Sequence, residues 1–191
     1  MSERAVVDPH ERLIFAMGGG GFTMEPNNPL LDDFVLSLAD VGEPRILFLP
    51  TASGDTTSQI NAFRARFAER ACITEQLSLF HLRETTRSLA DTVLIQDIIY
   101  VGGGSMRNLL ALWRAHELDS LLVQAWQRGA VLAGLSAGAQ RVDAIEGELM
   151  RKRVDVELLG EGPRAALGGH DEAVEELRRV HRLRRGSSRG R

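Results

Sequence analysis

One five-residue motif in this chain could carry nucleophilic chemistry. Gly134-Leu135-Ser136-Ala137-Gly138 fits the pattern G-x-S-x-G, directly after the apolar run 130–133 and before a helical pattern. A strand that turns sharply into a helix exposes the serine hydroxyl at the turn, and only small residues fit around it. The motif therefore predicts Ser136 as a nucleophile. The alternative is that the small residues serve only the packing of the turn.

A serine nucleophile also needs hydrogen-bond donors for the oxyanion that it generates. The backbone N–H of Ala137, next after the serine, is one candidate. The glycine triplet 102–104 ends another apolar run, and the missing side chains would let a substrate carbonyl approach a second amide there. A glycine-rich loop can instead cradle a phosphate or form a plain turn. Its pairing with the serine motif favours the oxyanion role.

The general base is less clearly marked. The chain has five histidines: His10, His81, His116, His170 and His181. Only the last two follow the serine motif, and we select His170, which stands in the turn-like stretch 167–171, as the predicted base. A solvated histidine without a catalytic role is the alternative. Three acidic residues could orient the base, and the sequence does not separate them: Asp143, Asp155 and Asp171.

The elements that must position these residues form an alternating pattern. Short apolar runs, predicted as strands, lie at 13–17, 45–49, 76–80, 97–101 and 130–133, with helical patterns between them. Continuously apolar strands separated by helices are typical of a parallel sheet covered on both faces. We expect an α/β fold, a three-layer αβα sandwich with a mostly parallel sheet. Ligands bind beyond the carboxyl ends of the strands in such sheets, where the glycine-rich segments stand.

Composition excludes several classes of protein. The chain has 191 residues, 43% hydrophobic and 26% charged, and no apolar run approaches the roughly 20 residues of a transmembrane helix. The polar N-terminus lacks the apolar stretch of a secretory signal. Cys72 is the only cysteine, so internal disulfides and four-cysteine zinc sites are excluded, and we expect a cytoplasmic protein. A net charge of −3 does not indicate a nucleic-acid or membrane partner. We predict no cofactor and no metal.

The C-terminal third differs from the rest of the chain. All ten aromatic residues lie at or before Trp126, and residues 151–191 hold 11 basic and 7 acidic residues. We therefore divide the chain into an α/β catalytic-type domain, 1–140, and a divergent, helical, arginine-rich segment, 141–191, expected to be partly disordered.

Four motifs in order resemble the peptidase E family of serine peptidases, which includes aspartyl dipeptidases and cyanophycinases. They are the segments 18–22, 48–55, 100–105 and 134–139, and the resemblance covers roughly residues 12–140. It implies a fold like that of the class I glutamine amidotransferases, Ser136 as the nucleophile, and the amides of Gly104 and Ala137 as the oxyanion hole. It also implies a short peptide substrate with a preference for an N-terminal aspartate.

The resemblance has limits. The family's usual Asn-Thr after the glycine triplet is here Ser105-Met106, and beyond Ala139 the match fails. A truncated or frame-shifted, catalytically inactive relative that keeps the cleft for a small molecule or a partner is therefore the alternative function. A lipase-like esterase is disfavoured by the glycine-rich first and fourth strand ends, and an amidotransferase by serine where that chemistry uses cysteine. We also expect a homo-oligomer, because the last predicted strand would be an unpaired edge.

Overall fold

A six-stranded parallel sheet forms the centre of the molecule. The computed structural model describes residues 5–8, 12–84, 87–146 and 152–154. The strands are β1 (Leu13–Met17), β2 (Arg45–Leu49), β3 (Ile73–Gln76), β4 (Ile98–Val101), β5 (Val131–Leu135) and β6 (Lys152–Val154). Their order across the sheet is β3-β2-β4-β5-β1-β6, and every pairing is parallel. Consequently β5, which ends within the serine motif at Leu135, lies between β4 and β1.

Seven α-helices connect the strands in the described part of the chain. They are α1 (Gly21–Met24), α2 (Leu30–Leu38), α3 (Thr57–Phe67), α4 (Leu89–Val93), α5 (Met106–Ala115), α6 (Leu118–Gln127) and α7 (Ala137–Glu146). Short 3₁₀ turns follow β2 and β3, at Thr51–Ser53 and Leu79–Glu84.

The helices form one layer on each face of the sheet. Alternate residues of each inner strand face opposite layers: Phe48 and Tyr100 pack among α1, α2 and α3, whereas Leu49 and Val101 pack among α4 to α7. Both sets are fully buried, which explains why these strands are apolar throughout. The predicted three-layer α/β sandwich is confirmed.

Two strand predictions needed correction. The third strand was predicted at 76–80 but lies at Ile73–Gln76, and the apolar Leu77 and Leu79 that suggested it are buried in the chain that follows. An edge strand has a neighbour on one side only, so it tolerates polar residues such as Thr74 and Glu75. The fifth strand continues past 133 to Leu135, because Gly134 and Leu135 still pair with β1.

The edges of the sheet are β3 and β6, not the strand at 130–133 that we expected to be an edge. Residues 152–154 extend along β1 as a parallel strand, so this part of the predicted helical segment is not helical. Helix α7 runs across the predicted domain boundary at 140. None of the described helices is long and apolar enough to cross a bilayer.

Candidate functional site

Ser136 lies at the point where β5 ends and α7 begins, and its side chain is exposed. Its φ of 53° is in the left-handed region, which side-chain-bearing residues rarely adopt. Two backbone hydrogen bonds hold it there. The Ser136 N–H donates to the Met17 carbonyl at 2.9 Å, and the Ser136 carbonyl accepts from the Gln140 N–H at 3.1 Å. The strand-to-helix turn predicted from G-x-S-x-G is therefore present, with the hydroxyl at the carboxyl edge of the sheet.

The two glycines of the motif are required by close backbone approaches. A Cβ at position 134 would lie 2.5 Å from the carbonyl carbon and oxygen of Gly138. A Cβ at position 138 would come within 3.0 Å of the carbonyl oxygens of Val101 and Gly102. Helix α7 therefore packs directly on the ends of β4 and β5, and only hydrogen atoms fit between these backbones.

The glycine triplet 102–104 adjoins the serine. A Cβ at Gly103 would lie 3.2 Å from the Ser136 Cβ and from the Leu135 carbonyl oxygen. Gly104, with a φ of 143°, passes so close to the carbonyl of Ala52 that any side chain would clash. The Ser105 N–H donates to that same carbonyl at 2.6 Å. The end of β4 is thus clamped between the turn after β2 and the serine turn after β5.

The two predicted oxyanion donors directly follow the two residues that adjoin each other: Gly104 follows Gly103, and Ala137 follows Ser136. Gly104 is exposed just before α5, and Ala137 is the first residue of α7. Within the described ranges, neither amide donates to another backbone or side-chain group in the hydrogen bonds that join loops and elements. An N-terminal amide of a helix has no partner inside the helix, so it can bind an anionic oxygen. Neither of the two amides is engaged elsewhere in these hydrogen bonds of the described residues, as an oxyanion-binding role would require.

The structure does not bring a histidine to the serine among its described residues. His170, the predicted base, lies outside those residues, as do His10 and His181. His116 ends α5, which runs back from the carboxyl edge of the sheet, and His81 follows β3, three strand positions from β5. Of the two described histidines, only His81 is at the carboxyl edge.

His81 has a carboxylate partner that the sequence did not reveal. Its Nδ1 lies 4.0 Å from Oδ2 of Asp55, whose side chain is fully buried, while the imidazole is 58% exposed. The same carboxylate oxygen accepts the Phe80 N–H at 3.1 Å. Burial raises the pKa of Asp55, and hydrogen bonds from Phe80 and Ser78 and the nearby His81 lower it in part. The two residues are far apart in the chain, and the pairing of β2 with β3 brings them together.

Of the other sequence candidates, Asp155 and Asp171 lie outside the described residues, and only the backbone of Asp143 is described, within α7. The described ranges contain no group of three or more His, Cys, Asp or Glu residues placed to hold a metal ion.

Comparison with known proteins gives a consistent result. The family model for peptidase family S51 matches residues 14–146. YgaJ of Bacillus subtilis (strain 168), described as an uncharacterized peptidase, is 49% identical over 126 residues, which is 66% of this chain and 54% of YgaJ. The chain therefore spans about half the length of this curated relative.

Two solved structures are similar to the chain. The crystal structure of a peptidase from an acI-B1 Actinobacterium aligns with a TM-score of 0.53 at 23% identity, over 68% of this chain and 57% of that one. A putative peptidase E protein from Listeria monocytogenes EGD-e aligns with a TM-score of 0.45 at 20% identity, over 80% of each chain. The likeness of fold rests on the first of these.

Proposed function

Because the chain belongs to peptidase family S51, we propose that it is a serine-type peptidase that hydrolyses short peptides with Ser136 as the nucleophile. The observation that carries this proposal is the exposed Ser136 at a left-handed strand-to-helix turn, directly beside the glycine triplet. A strained turn of this kind persists only where the surrounding structure requires it, and such turns are concentrated at functional sites.

The proposed reaction passes through an acyl-enzyme. Ser136 Oγ attacks the carbonyl carbon of the scissile peptide bond while its proton moves to a general base. The amides of Gly104 and Ala137 donate to the oxygen that becomes negatively charged. The intermediate collapses with loss of the amine product, which takes the proton. Water, activated by the same base, then releases the acid product and restores the serine.

His170 remains our predicted base, and a short peptide with an N-terminal aspartate remains the predicted substrate. Both go beyond family membership. The support for His170 is its position after the serine motif in a turn-like stretch, and the support for the substrate is the resemblance of the four motifs to peptidase E.

A labelling experiment tests the proposal. A fluorophosphonate reacts with an activated serine hydroxyl, so we expect one covalent adduct, located on Ser136 by peptide mass spectrometry. Ser136→Ala should abolish labelling. Ser120→Ala removes an exposed serine on α6 and should leave labelling unchanged. If folded protein is not labelled, the proposal is wrong.

The inactive relative with a binding cleft is the second candidate. It is favoured by one observation: Ser136 makes no hydrogen bond with either described histidine, His81 or His116. An unlabelled, folded chain would support this function. Turnover of Asp-Xaa dipeptides that disappears in Ser136→Ala would exclude it.

A further inference from the structure

A buried polar cluster lies beneath the glycine-rich segment that follows β1. We call Asp32, Arg66 and Tyr100 the Asp32 cluster. Asp32 and Tyr100 are completely buried, and the Arg66 side chain is 8% exposed. Nε of Arg66 lies 3.0 Å from Oδ2 of Asp32, and the Tyr100 hydroxyl donates to Oδ1 of Asp32 at 3.3 Å. The proposed reaction uses none of these groups.

The cluster holds the short helix α1 at both ends. The Phe22 N–H, near its start, donates to the Asp32 carboxylate. Arg66 donates from Nη2 to the carbonyls of Glu25 and Pro26, just after its end, at 2.9 Å each. A carboxylate serves the free N–H groups at the start of a helix, and a guanidinium serves the free carbonyls at its end. The two side chains of one ion pair thus make hydrogen bonds at the start of a single helical turn and just after its end.

The backbone of this segment is shaped to fit the cluster. Gly21 has a φ of 63°, and a Cβ there would lie 2.8 Å from the Tyr100 hydroxyl and 3.4 Å from Oδ1 of Asp32. The Phe22 ring packs at 5.2 Å from the Tyr100 ring, measured between centroids. The chain therefore takes a path that depends on where these two polar side chains stand.

The cluster also reaches both strands that flank β5. Tyr100 belongs to β4 and stands two residues before the glycine triplet. Its hydroxyl lies 3.8 Å from Sδ of Met17, the last residue of β1, and the Met17 carbonyl accepts the Ser136 N–H. The exposed Gly18 and the half-buried Gly19 connect Met17 to the segment that the cluster fixes.

Stability alone does not account for a buried ion pair. The free energy lost by removing two charges from water commonly cancels their attraction. Apolar residues of similar volume in their place often stabilise a fold equally well or better. This pair makes hydrogen bonds to the segment after β1, at Phe22, Glu25 and Pro26. It also binds the Tyr100 hydroxyl of β4, so it fixes that segment against the sheet.

We propose that Asp32 is a positioning residue for the serine site: through Arg66 and Tyr100 it fixes residues 18–26 and the ends of β1 and β4 around Ser136. This inference rests on the proposed peptidase function. It assigns no contact between Asp32 and the substrate.

The test compares two acidic residues of the same helix in the full-length protein. Asp32→Asn removes the charge that holds Arg66. Asp33→Asn is the matched control, because Asp33 also forms an ion pair, with Arg70 at 2.6 Å in the turn after α3, but its side chain is 37% exposed and the pair makes no hydrogen bond to α1 among the described residues. Tyr100→Phe removes only the hydroxyl and serves as the second variant if Asp32→Asn does not fold.

Two measurements are made at pH 8 on variants whose circular dichroism shows a folded protein. For Asp32→Asn, the rate constant for fluorophosphonate labelling of Ser136 should fall by about tenfold or more, since displacement of reacting groups by about 1 Å can cost about a hundredfold in rate. Hydrogen exchange of the backbone amides in 20–25 should speed up by a similar factor. Tyr100→Phe should change both in the same direction by less, and Asp33→Asn should stay within about twofold of the wild type for both.

The outcomes separate the two proposals. If the wild type is labelled and neither Asp32→Asn nor Tyr100→Phe differs from Asp33→Asn, the positioning role is wrong and the peptidase proposal stands. Equal losses in Asp32→Asn and Asp33→Asn would show general destabilisation and also overturn it. If folded wild type is not labelled at Ser136, the proposed function is wrong and the positioning role falls with it.

Discussion

Ser136 keeps its left-handed backbone because its neighbours leave it no alternative. A φ of 53° costs on the order of 1–3 kcal/mol for a residue with a side chain. The bonds to Met17 and from Gln140 hold the turn, and the contacts of Gly134 with Gly138 fix the helix against the strand. The strain is therefore maintained by backbone groups, and Ser136 stays exposed.

We predict that Gly134→Ala destabilises the protein by about 1–3 kcal/mol, because the added methyl carbon would lie 2.5 Å from the carbonyl of Gly138. The control is Gly42→Ala, at an exposed loop position with nothing within 4 Å of the added carbon. It should be neutral or up to about 1 kcal/mol stabilising. Urea denaturation gives both free energies. Equal values for the two variants would contradict the close packing of α7 on β5.

Helices α4 and α5 each begin with a serine whose side chain accepts a backbone N–H of the first turn, and these two matched caps can be compared. Ser105 Oγ accepts the Asn108 N–H at 3.3 Å at the start of α5, and Ser88 Oγ accepts the Asp91 N–H at 3.0 Å at the start of α4. Both serines are exposed.

We predict that Ser105→Ala and Ser88→Ala each cost about 1 kcal/mol of unfolding free energy. Only Ser105→Ala should slow the labelling of Ser136, because Ser105 directly follows Gly104, whose amide is a predicted oxyanion donor. Denaturation and labelling rates measured side by side would check this. Equal labelling rates in the two variants would show that the start of α5 does not affect the site.

The elements that sequence alone located best are those with two strand neighbours. The first two strands were predicted at their observed bounds, since burial on both faces requires the apolar runs that mark them. The third strand was predicted a few residues too late, because an edge strand need not be apolar throughout and the apolar residues that follow it were taken for the strand. The sixth was missed because no long apolar run accompanies residues 152–154.

Sequence located the serine turn and the glycine triplet, because close backbone approach restricts both to small residues. Their catalytic roles and that of His170 stay predictions. The Asp32 cluster was missed because its three members lie on α2, α3 and β4, and only the folded sheet brings them together. One local sign existed: Asp32 stands next to Leu31 and shortly before Phe34 on a helix face that is buried.

For the molecule as a whole, Asp32 has a consequence for stability against pH. Burial raises its pKa from 3.8 to about 6, although Arg66, Phe22 and Tyr100 lower it in part. The folded state then binds a proton more readily than the unfolded state between these two values. The stability from this group is present below about pH 4 and is lost as the pH rises through 6, by about 3 kcal/mol at most.

We therefore predict that the difference in unfolding free energy between wild type and Asp32→Asn changes between pH 4 and 7, in favour of the wild type at the acidic end. In this difference, the contributions of all the other titrating groups cancel, because both proteins contain them. Chemical denaturation at steps of one pH unit would measure it, and a difference that does not vary with pH would refute the raised pKa.

The family resemblance inferred from four motifs is confirmed, and the family match extends to residue 146. The cytoplasmic location, the homo-oligomer and the division of the chain at residue 140 remain predictions. Since β3 is an edge with the exposed Ile73, it is where strand pairing between copies would be expected.

The position of β1 in the sheet has a consequence for the nascent chain. In the described structure β1 pairs only with β5 and β6, which are synthesised more than a hundred residues later. At translation rates of about 5–20 residues per second, this apolar segment waits about 5–25 s on the ribosome before a strand partner emerges. During that interval the strand has no neighbour to pair with, and the hydrogen bond from the Ser136 N–H to Met17 cannot form until β5 is in place.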